Sequence, residues 1–303
     1  MHQRTARLAG VRVTPTSDRT RRLMDLIKPS VDEPQEGATG HAGLGWVRTG
    51  IVDVDAATGS FRPGELVVMA GRPGSGCEEL TTSLVLAAVE DQIPTVWISP
   101  GRPAESLVKD LLCARASIQR KHMRLSVLDD QEYAKLARIL ADVAEAHLYV
   151  NDASVQTPAT IAQCVLDLEL DRPPLIVVSD LQQLAADIDG PNLYESAAGV
   201  IRALKVLARD LGAVVVATSG LNRGVEQRTD KVPTVWDLRG AGDIEEVADH
   251  ILLTSNPSYY DVLSERLGEV DIMVAKTSIG LRVTVVAAHQ IHFGRVVNMH
   301  TDA

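Results

Sequence analysis

A glycine-rich turn near residue 71 has the residue types and spacing that point most directly to chemistry. It lies between the apolar run 66–70 and a helix-like segment that begins at residue 77. A strand, a glycine-rich turn and a helix in that order form a P-loop, whose backbone N–H groups cradle phosphates. Gly71 and Gly76 have the spacing of G-x-x-x-x-G-K-[ST], with Gly74 between them. The spacing therefore predicts the scaffold of a nucleotide site.

The two residues after Gly76 lack the chemistry of such a site. Cys77 stands where a lysine would reach the β- and γ-phosphates, and Glu78 stands where a Ser or Thr hydroxyl would hold Mg²⁺. A carboxylate about 4 Å from a phosphate costs on the order of 4 kcal/mol at an effective dielectric constant of about 20. Two interpretations remain open. The carboxylates of Glu78 and Glu79 occupy the anion site at the helix N-terminus, or Glu78 points to solvent.

An apolar run that ends in Asp180 is the second candidate for a nucleotide site. Residues 175–178 read Leu-Ile-Val-Val and are followed by Ser179 and Asp180. An apolar strand that ends in an acid is the Walker B arrangement, in which the Asp binds the Mg²⁺ of the nucleotide. Together with the glycine-rich turn, this run favours a P-loop NTPase fold.

The elements that must position these residues alternate as in an α/β protein. The 303 residues are 45% hydrophobic but only 3% aromatic, so the core must consist of Val, Leu, Ile and Ala, as in a buried parallel sheet. The predicted strands are 66–70, 95–99, 147–150, 174–179, 213–218 and 249–254, and the predicted helices are 77–90, 103–120, 130–145, 157–170 and 194–211. The closely spaced runs 269–275, 282–287 and 291–297 predict antiparallel strands at the C-terminal end.

Charge and cysteine content limit the class of protein. The net charge of −10 argues against a broad nucleic-acid-coating surface. Cys77, Cys113 and Cys164 are widely spaced, which indicates free thiols in an intracellular protein. No apolar run approaches the roughly 20 residues of a membrane span, and the N-terminus lacks the apolar region of a signal peptide. We therefore expect a cytoplasmic protein without a membrane segment.

Residues 1–45 differ from the rest and are expected to form an N-terminal extension. Segment 17–28 predicts a short amphipathic helix, and the Pro/Gly/Glu-rich stretch after it predicts a flexible linker. Such a helix must dock on its own domain or on a neighbour to bury its apolar side. Residues 46–303 are expected to form the main domain.

Several segments resemble the C-terminal RecA-like ATPase domain of DnaB-type replicative DNA helicases. The clearest match begins at Ser219-Gly220-Leu221-Asn222-Arg223-Gly224-Val225-Glu226-Gln227-Arg228 and runs on to Asp249. The resemblance covers residues 46–298. It implies a RecA-like P-loop NTPase fold with a mostly parallel sheet flanked by helices. It also implies that the family's helical N-terminal domain is absent, and that segment 17–28 corresponds to the linker helix that docks on an adjacent subunit.

The resemblance assigns a role to each site position. Five functional positions carry a different residue here: the P-loop Lys, the Mg²⁺-binding Ser/Thr, the catalytic Glu, the sensor Gln and the arginine finger read Cys77, Glu78, Gly101, Gly220 and Ser278. The Walker B Asp is retained as Asp180. Arg228 matches a position near the nucleotide, and Lys276 and Arg239 match positions at the subunit edge.

These replacements remove large contributions to catalysis. An arginine finger is worth roughly 10³ to 10⁵ in rate, and a general base about 10² to 10⁴.

The loop after Asp180, residues 185–195, carries three acids and no Lys or Arg, with Tyr194 as its one stacking candidate, so it does not support DNA binding.

Two smaller features complete the set of candidates. A basic cluster predicts either a solvated helix face and turn or a nucleic-acid site: Arg115, Arg120, Lys121, His122 and Arg124. His289 and His292 lie in a strand-like run and face opposite sides, which argues against a metal pair.

Three hypotheses about function remain. The first is a pseudo-ATPase with a degenerate Walker A motif: a non-catalytic binding or regulatory protein linked to DNA replication, with no bound cofactor. The second is an active ATP-dependent helicase or translocase that uses ATP and Mg²⁺, the latter bound by Asp180. The third is a structural protein that forms a ring or filament. The expected partners are further copies of the chain or a replication protein.

Overall fold

The computed structural model describes residues 45–186, 193–261 and 263–299, together with two short strands, Arg7–Leu8 and Val11–Arg12. The predicted helix 17–28 and nearly all of the predicted linker lie outside the described residues. So do residues 187–192 of the loop after Asp180 and the side chain of Tyr194.

A central sheet of nine strands organises the described part of the chain. The strands are β1 (Leu66–Gly71), β2 (Thr95–Ile98), β3 (Leu148–Asn151), β4 (Leu175–Val178), β5 (Val214–Gly220), β6 (His250–Ser255), β7 (Glu269–Lys276), β8 (Val283–Gln290) and β9 (Arg295–Val297). Their order across the sheet is β9-β8-β7-β6-β1-β5-β4-β2-β3. The pairs from β3 to β6 are parallel, and the pairs from β6 to β9 are antiparallel.

Helices cover both faces of this sheet. They are α1 (Val52–Thr58), α2 (Cys77–Glu90), α3 (Ala104–Ala116), α4 (Arg120–Leu125), α5 (Asp130–Glu145), α6 (Pro158–Asp167), α7 (Leu181–Ala186), α8 (Leu193–Leu211), α9 (Gly224–Gln227), α10 (Ala241–Val247) and α11 (Pro257–Tyr260). One apolar layer joins the sheet to α6, α7, α8 and α10, and the other joins it to α1, α2 and α3. Strands such as β4 are buried on both sides, which explains their unbroken apolar runs.

The predicted architecture is confirmed, with local differences. The predicted helix 103–120 ends earlier, at Ala116, because Ser117 adopts a left-handed conformation (φ 54°), and a second helix, α4, begins at Arg120. The last predicted strand, 291–297, is shorter, because residues 291–294 form a turn that ends at Gly294 with φ 81°. The helix α1 was not predicted from the sequence.

The parallel strands determine which site residues meet. The carboxyl ends of β1, β2, β4 and β5 lie at one edge of the sheet, so the segments that follow them come together. Strand β7 is antiparallel to β6, with Lys276 paired to Ile251 at the beginning of β6. Lys276 and Ser278 therefore lie at the opposite edge.

Candidate nucleotide site

The glycine-rich turn connects β1 to α2 through two positive backbone dihedrals. Gly74 has φ 78°, and Gly76, at the N-cap of α2, has φ 92°. Only glycine adopts such conformations without strain. The buried hydroxyl of Ser75 lies 2.8 Å from that of Thr254 at the end of β6, and the Ser75 N–H donates to the carbonyl of Arg72 over 2.9 Å. These contacts fix the turn against the sheet.

Cys77 contributes a neutral side chain to the first turn of α2. Its side chain packs against the apolar layer between α2 and the sheet. Burial, followed by the nearby charges of Glu78 and Glu79, raises the pKa of the Cys77 thiol to about 12. Near neutral pH the position therefore offers neither a cation for phosphate nor a reactive thiolate.

The two glutamates that follow point in different directions, since consecutive helix residues are rotated by about 100°. The Glu78 side chain is 75% exposed, with its carboxylate 3.5 Å from Nη1 of Arg102. The Glu79 side chain is 8% exposed and accepts a hydrogen bond from Nη1 of Arg120 over 3.0 Å. The Glu79 carboxylate is therefore engaged by Arg120, and the Glu78 side chain is largely exposed, as the second interpretation expects.

Several neighbours act on the Glu79 carboxyl. Burial alone would raise its pKa, but the interaction with His289 and the nearby charge of Arg120 lower the pKa overall. Glu79 is thus an ionised member of a buried ionic cluster beside the turn.

Asp180 follows β4 and lines one cavity together with Glu78 of α2. Its Oδ1 accepts a hydrogen bond from the Gln182 N–H over 3.2 Å, and its Oδ2 accepts one from Nε2 of Gln183 over 3.0 Å. Its own N–H donates to the Thr218 hydroxyl over 2.8 Å, and its φ is 60°. Both carboxylate oxygens therefore already have amide partners within the chain.

The Gln183 side chain also lies against Gly101. A Cβ built on Gly101 would stand 2.7 Å from Oε1 and 2.9 Å from Cδ of Gln183, closer than real carbon contacts allow. Sequence reasoning did not identify Gln183 as a site residue, because its position on α7 relative to Gly101 depends on the order of β4 and β2 in the sheet.

A cavity of about 230 Å³ lies between Glu78 on α2 and the side chains of Asp180 and Gln183. Arg102 is the cation among its lining residues in the described part of the chain. Its guanidinium is ion-paired with Asp110, contacts Glu78 and donates to the Ser106 hydroxyl over 3.3 Å. The lining consists otherwise of carboxylate, hydroxyl, amide and apolar groups: Glu78, Thr81, Thr82, Trp97, Ser99, Gly101, Leu107, Ser179, Asp180, Gln183 and Thr218.

The position that matches the sensor lies at the end of β5. The N–H of Gly220 donates to Oε1 of Gln182 over 3.0 Å. A Cβ on Gly220 would stand 3.7 Å from Cζ of Arg239, so the exposed Arg239 lies beside it.

Arg228 is held within its own loop. Its Nη1 and Nη2 donate to the two carboxylate oxygens of Asp237 over 2.9 and 2.6 Å. Burial would raise the pKa of Asp237, but the hydrogen bond with Arg228 and those with Thr234 lower it. Arg228 is absent from the described lining of the cavity.

Lys276 and Ser278, at the opposite edge of the sheet, form hydrogen bonds within the chain. Nζ of Lys276 donates to the backbone carbonyl of Glu245 over 2.6 Å. The Ser278 hydroxyl lies 3.3 Å from Nε2 of His250. Neither residue reaches the glycine-rich turn of the same chain.

Two further sequence candidates pair with carboxylates of the same chain. In the basic cluster, Arg115 pairs with Glu90, and His122 Nδ1 lies 2.8 Å from Glu132. The described residues contain no group of three or more His, Cys, Asp or Glu side chains that could hold a metal ion. No helix in the described ranges combines the length and the apolar character that a membrane crossing requires.

Comparison with known proteins gives a consistent result. Residues 46–298 match the family described as DnaB-like helicase C terminal domain. The chain is 30% identical over 279 residues to the replicative DNA helicase DnaB of Leifsonia xyli subsp. xyli (strain CTCB07), covering 91% of this chain and 61% of that protein. It is 35% identical over 215 residues to the DnaB of Mycobacterium intracellulare, covering 70% of this chain and 37% of that protein.

Two solved structures share the fold. The ATPase domain of G40P superimposes with a TM-score of 0.84 at 24% identity, covering 91% of this chain and 99% of that domain. A DnaB-like replicative helicase, solved in a study of its interactions with primase, gives 0.82 at 24% identity, covering 93% and 68%. This chain spans between 37% and 61% of the length of the two curated relatives named above.

Proposed function

The chain belongs to the family of DnaB-like helicase C-terminal domains, and we propose that it serves DNA replication as a non-catalytic binding or regulatory protein. In this proposal its nucleotide site is degenerate and does not turn over ATP. Its partners are further copies of the chain or another replication protein.

The observation that carries the proposal is the position of the Gln183 amide. It fills the space beside Gly101, where the family resemblance expects a catalytic carboxylate, and it donates to Oδ2 of Asp180. An amide cannot accept a proton from an attacking water as a carboxylate does. It also competes with Mg²⁺ for the Asp180 oxygen.

The residues present do not fit Mg-ATP as the family would hold it. The neutral thiol of Cys77 supplies no charge to the phosphates, and Glu78 adds a negative charge beside the cavity. The guanidinium of Arg102 already lies between Glu78 and Asp110. Since phosphoryl transfer depends on positioning and charge neutralisation, this set of side chains supports neither.

One observation favours the alternative of an active ATPase. The contact between Arg102 and Glu78 is 3.5 Å long and solvent-accessible, so a phosphate could replace the carboxylate at that guanidinium. In that case Arg102 would supply the positive charge that Cys77 lacks.

A phosphate-release assay separates the two. The full chain is incubated with ATP and Mg²⁺, with and without single-stranded DNA, beside a reaction without protein. We expect no release above the protein-free reaction. Release that saturates with ATP and disappears in Arg102→Ala would establish the ATPase and overturn the proposal. The third hypothesis, a ring or filament, is tested by light scattering of the same sample: a strict monomer would exclude it.

A further inference from the structure

A buried amide links the glycine-rich turn to the antiparallel end of the sheet. Asn256 directly follows β6, and its Nδ2 donates to the backbone carbonyl of Gly74 over 3.3 Å. The same Nδ2 lies 3.4 Å from Nδ1 of His289 on β8. Asn256 is 9% exposed and His289 is 6% exposed. One amide group therefore contacts both the turn and a buried histidine.

The orientation of this amide is determined by its other end. Oδ1 of Asn256 accepts hydrogen bonds from the N–H and the hydroxyl of Ser258, over 3.0 and 2.7 Å, and so caps α11. Nδ2 must therefore face Gly74 and His289. Because Nδ2 is a donor, Nδ1 of His289 is the acceptor, and the neutral ring carries its proton on Nε2.

The other side of the imidazole faces a carboxylate. Nε2 of His289 lies 3.6 Å from Oε2 of Glu79, and it has no hydrogen-bond partner among the residues that the structure describes. Arg120 contacts Glu79 over 3.0 Å, and Asp110 lies 3.6 Å from Nε of Arg120. The charged groups near the ring thus come from α2, α3 and α4.

Glu79 and Asn256 have opposite effects on the positively charged form of the His289 ring. The Glu79 carboxylate favours an imidazolium. Asn256 opposes it, because protonated Nδ1 would direct an N–H group at the N–H groups of Nδ2. The conflict is relieved only if the amide moves away from His289. Asn256 cannot simply turn over, since Oδ1 would then leave Ser258 and Nδ2 would leave Gly74.

We propose that His289 is a pH-sensitive latch on the glycine-rich turn: protonation of its ring displaces the Asn256 amide and releases Gly74. The ring of Tyr259 also lies against the turn, 3.0 Å from the position of a Cβ on Gly74. Tyr259 belongs to α11, whose N-terminus is capped by Asn256. The inference concerns the backbone of the turn and is independent of nucleotide binding.

Hydrogen exchange of the full chain, followed by mass spectrometry, tests the latch. Histidine side chains change charge between about pH 5 and pH 8. We expect exchange in residues 71–79, corrected for the intrinsic pH dependence, to increase several-fold as the pH falls through this range. His289→Gln should abolish the increase. The matched control is His292→Gln, which removes an exposed histidine three residues away and should retain it.

A second variant keeps the test informative if His289→Gln folds poorly. Asn256→Asp keeps an oxygen for Ser258 but lacks the N–H that reaches Gly74, so the turn should exchange rapidly at every pH. Wild-type exchange that is constant across the range would overturn the latch. So would an unchanged pH dependence in either His289→Gln or Asn256→Asp.

Discussion

The Gln183 amide occupies the space that a side chain on Gly101 would need, with Oε1 2.7 Å from the position of such a Cβ. The two residues come from different elements, the turn after β2 and the first turns of α7. The two residues are therefore coupled in space: Gly101 leaves room for the Gln183 amide, which fills it and donates a hydrogen bond to Asp180. One amide therefore joins the replaced position Gly101 to the retained Asp180.

This coupling predicts the cost of Gly101→Ala. The added methyl group must push Gln183 aside and break its hydrogen bond to Asp180, so we expect a loss of about 1 kcal/mol in the free energy of unfolding. In a Gln183→Ala background the same change should be neutral or slightly stabilising. Urea unfolding of the two single variants and the double variant measures the interaction energy. Additive effects would show that the two residues are not coupled.

The raised pKa of Cys77 predicts low reactivity. With a pKa of about 12, the thiolate fraction at pH 8 is about 10⁻⁴, so alkylation of native Cys77 should be more than about 100-fold slower than in the unfolded chain. Iodoacetamide labelling read by peptide mass spectrometry gives the rate, with the urea-unfolded protein as the control. Equal rates in the two states would contradict the raised pKa of the Cys77 thiol.

Glu79 and Glu78 provide a matched pair of variants. The folded state lowers the pKa of Glu79, so its ion pair stabilises the protein above the pKa of an unfolded glutamate, about 4.3, and this stabilisation is lost as the pH falls through the lower folded value. We expect Glu79→Gln to reduce the free energy of unfolding by about 2 kcal/mol at neutral pH. The difference from wild type should narrow below about pH 4.

The exposed neighbour is the control for that experiment. Glu78→Gln alters an exposed glutamate on the same helix turn and should change stability by less than about 0.5 kcal/mol. Urea unfolding at several pH values measures both variants. Equal effects of the two substitutions would mean that the cluster of Glu79 with Arg120 and His289 does not stabilise the fold.

The double substitution Cys77→Lys with Glu78→Thr tests what blocks nucleotide binding. It restores the cation and the hydroxyl at the turn while Gln183 and Asp180 remain unchanged. We expect Mg-ATP to bind at least about tenfold more tightly than to wild type, or about 1.4 kcal/mol. Cys77→Ala is the control, since it removes the thiol without adding charge. No gain in affinity would show that the turn itself is closed to phosphate.

The strands were predictable because a sheet buried on both faces requires continuous Val, Leu and Ile runs, as in β4 and β5. The end of α3 at residue 116 and the separate helix α4 were not predictable, because they depend on the left-handed conformation of Ser117 and on the packing of Ile118 beneath α5. Local residue patterns contain neither signal.

Within the site, the replaced residues Cys77 and Glu78 were visible from motif spacing alone. The contact of Gln183 with Gly101 was not visible, since it arises from strands that are neighbours in the sheet and distant in sequence. The partner of the Glu79 carboxylate was likewise not predictable, because it is Arg120 on another helix. This tertiary contact overrides the local attraction of an acid to the N-terminus of α2.

Calorimetric titration of the wild-type chain with ATP and Mg²⁺ tests the central claim most directly. A site with a neutral thiol at position 77, an acid at 78 and an amide on Asp180 should give no saturable heat at ATP concentrations up to about 1 mM. Saturable binding with a micromolar dissociation constant, accompanied by phosphate release, would contradict the proposal and establish a working nucleotide site.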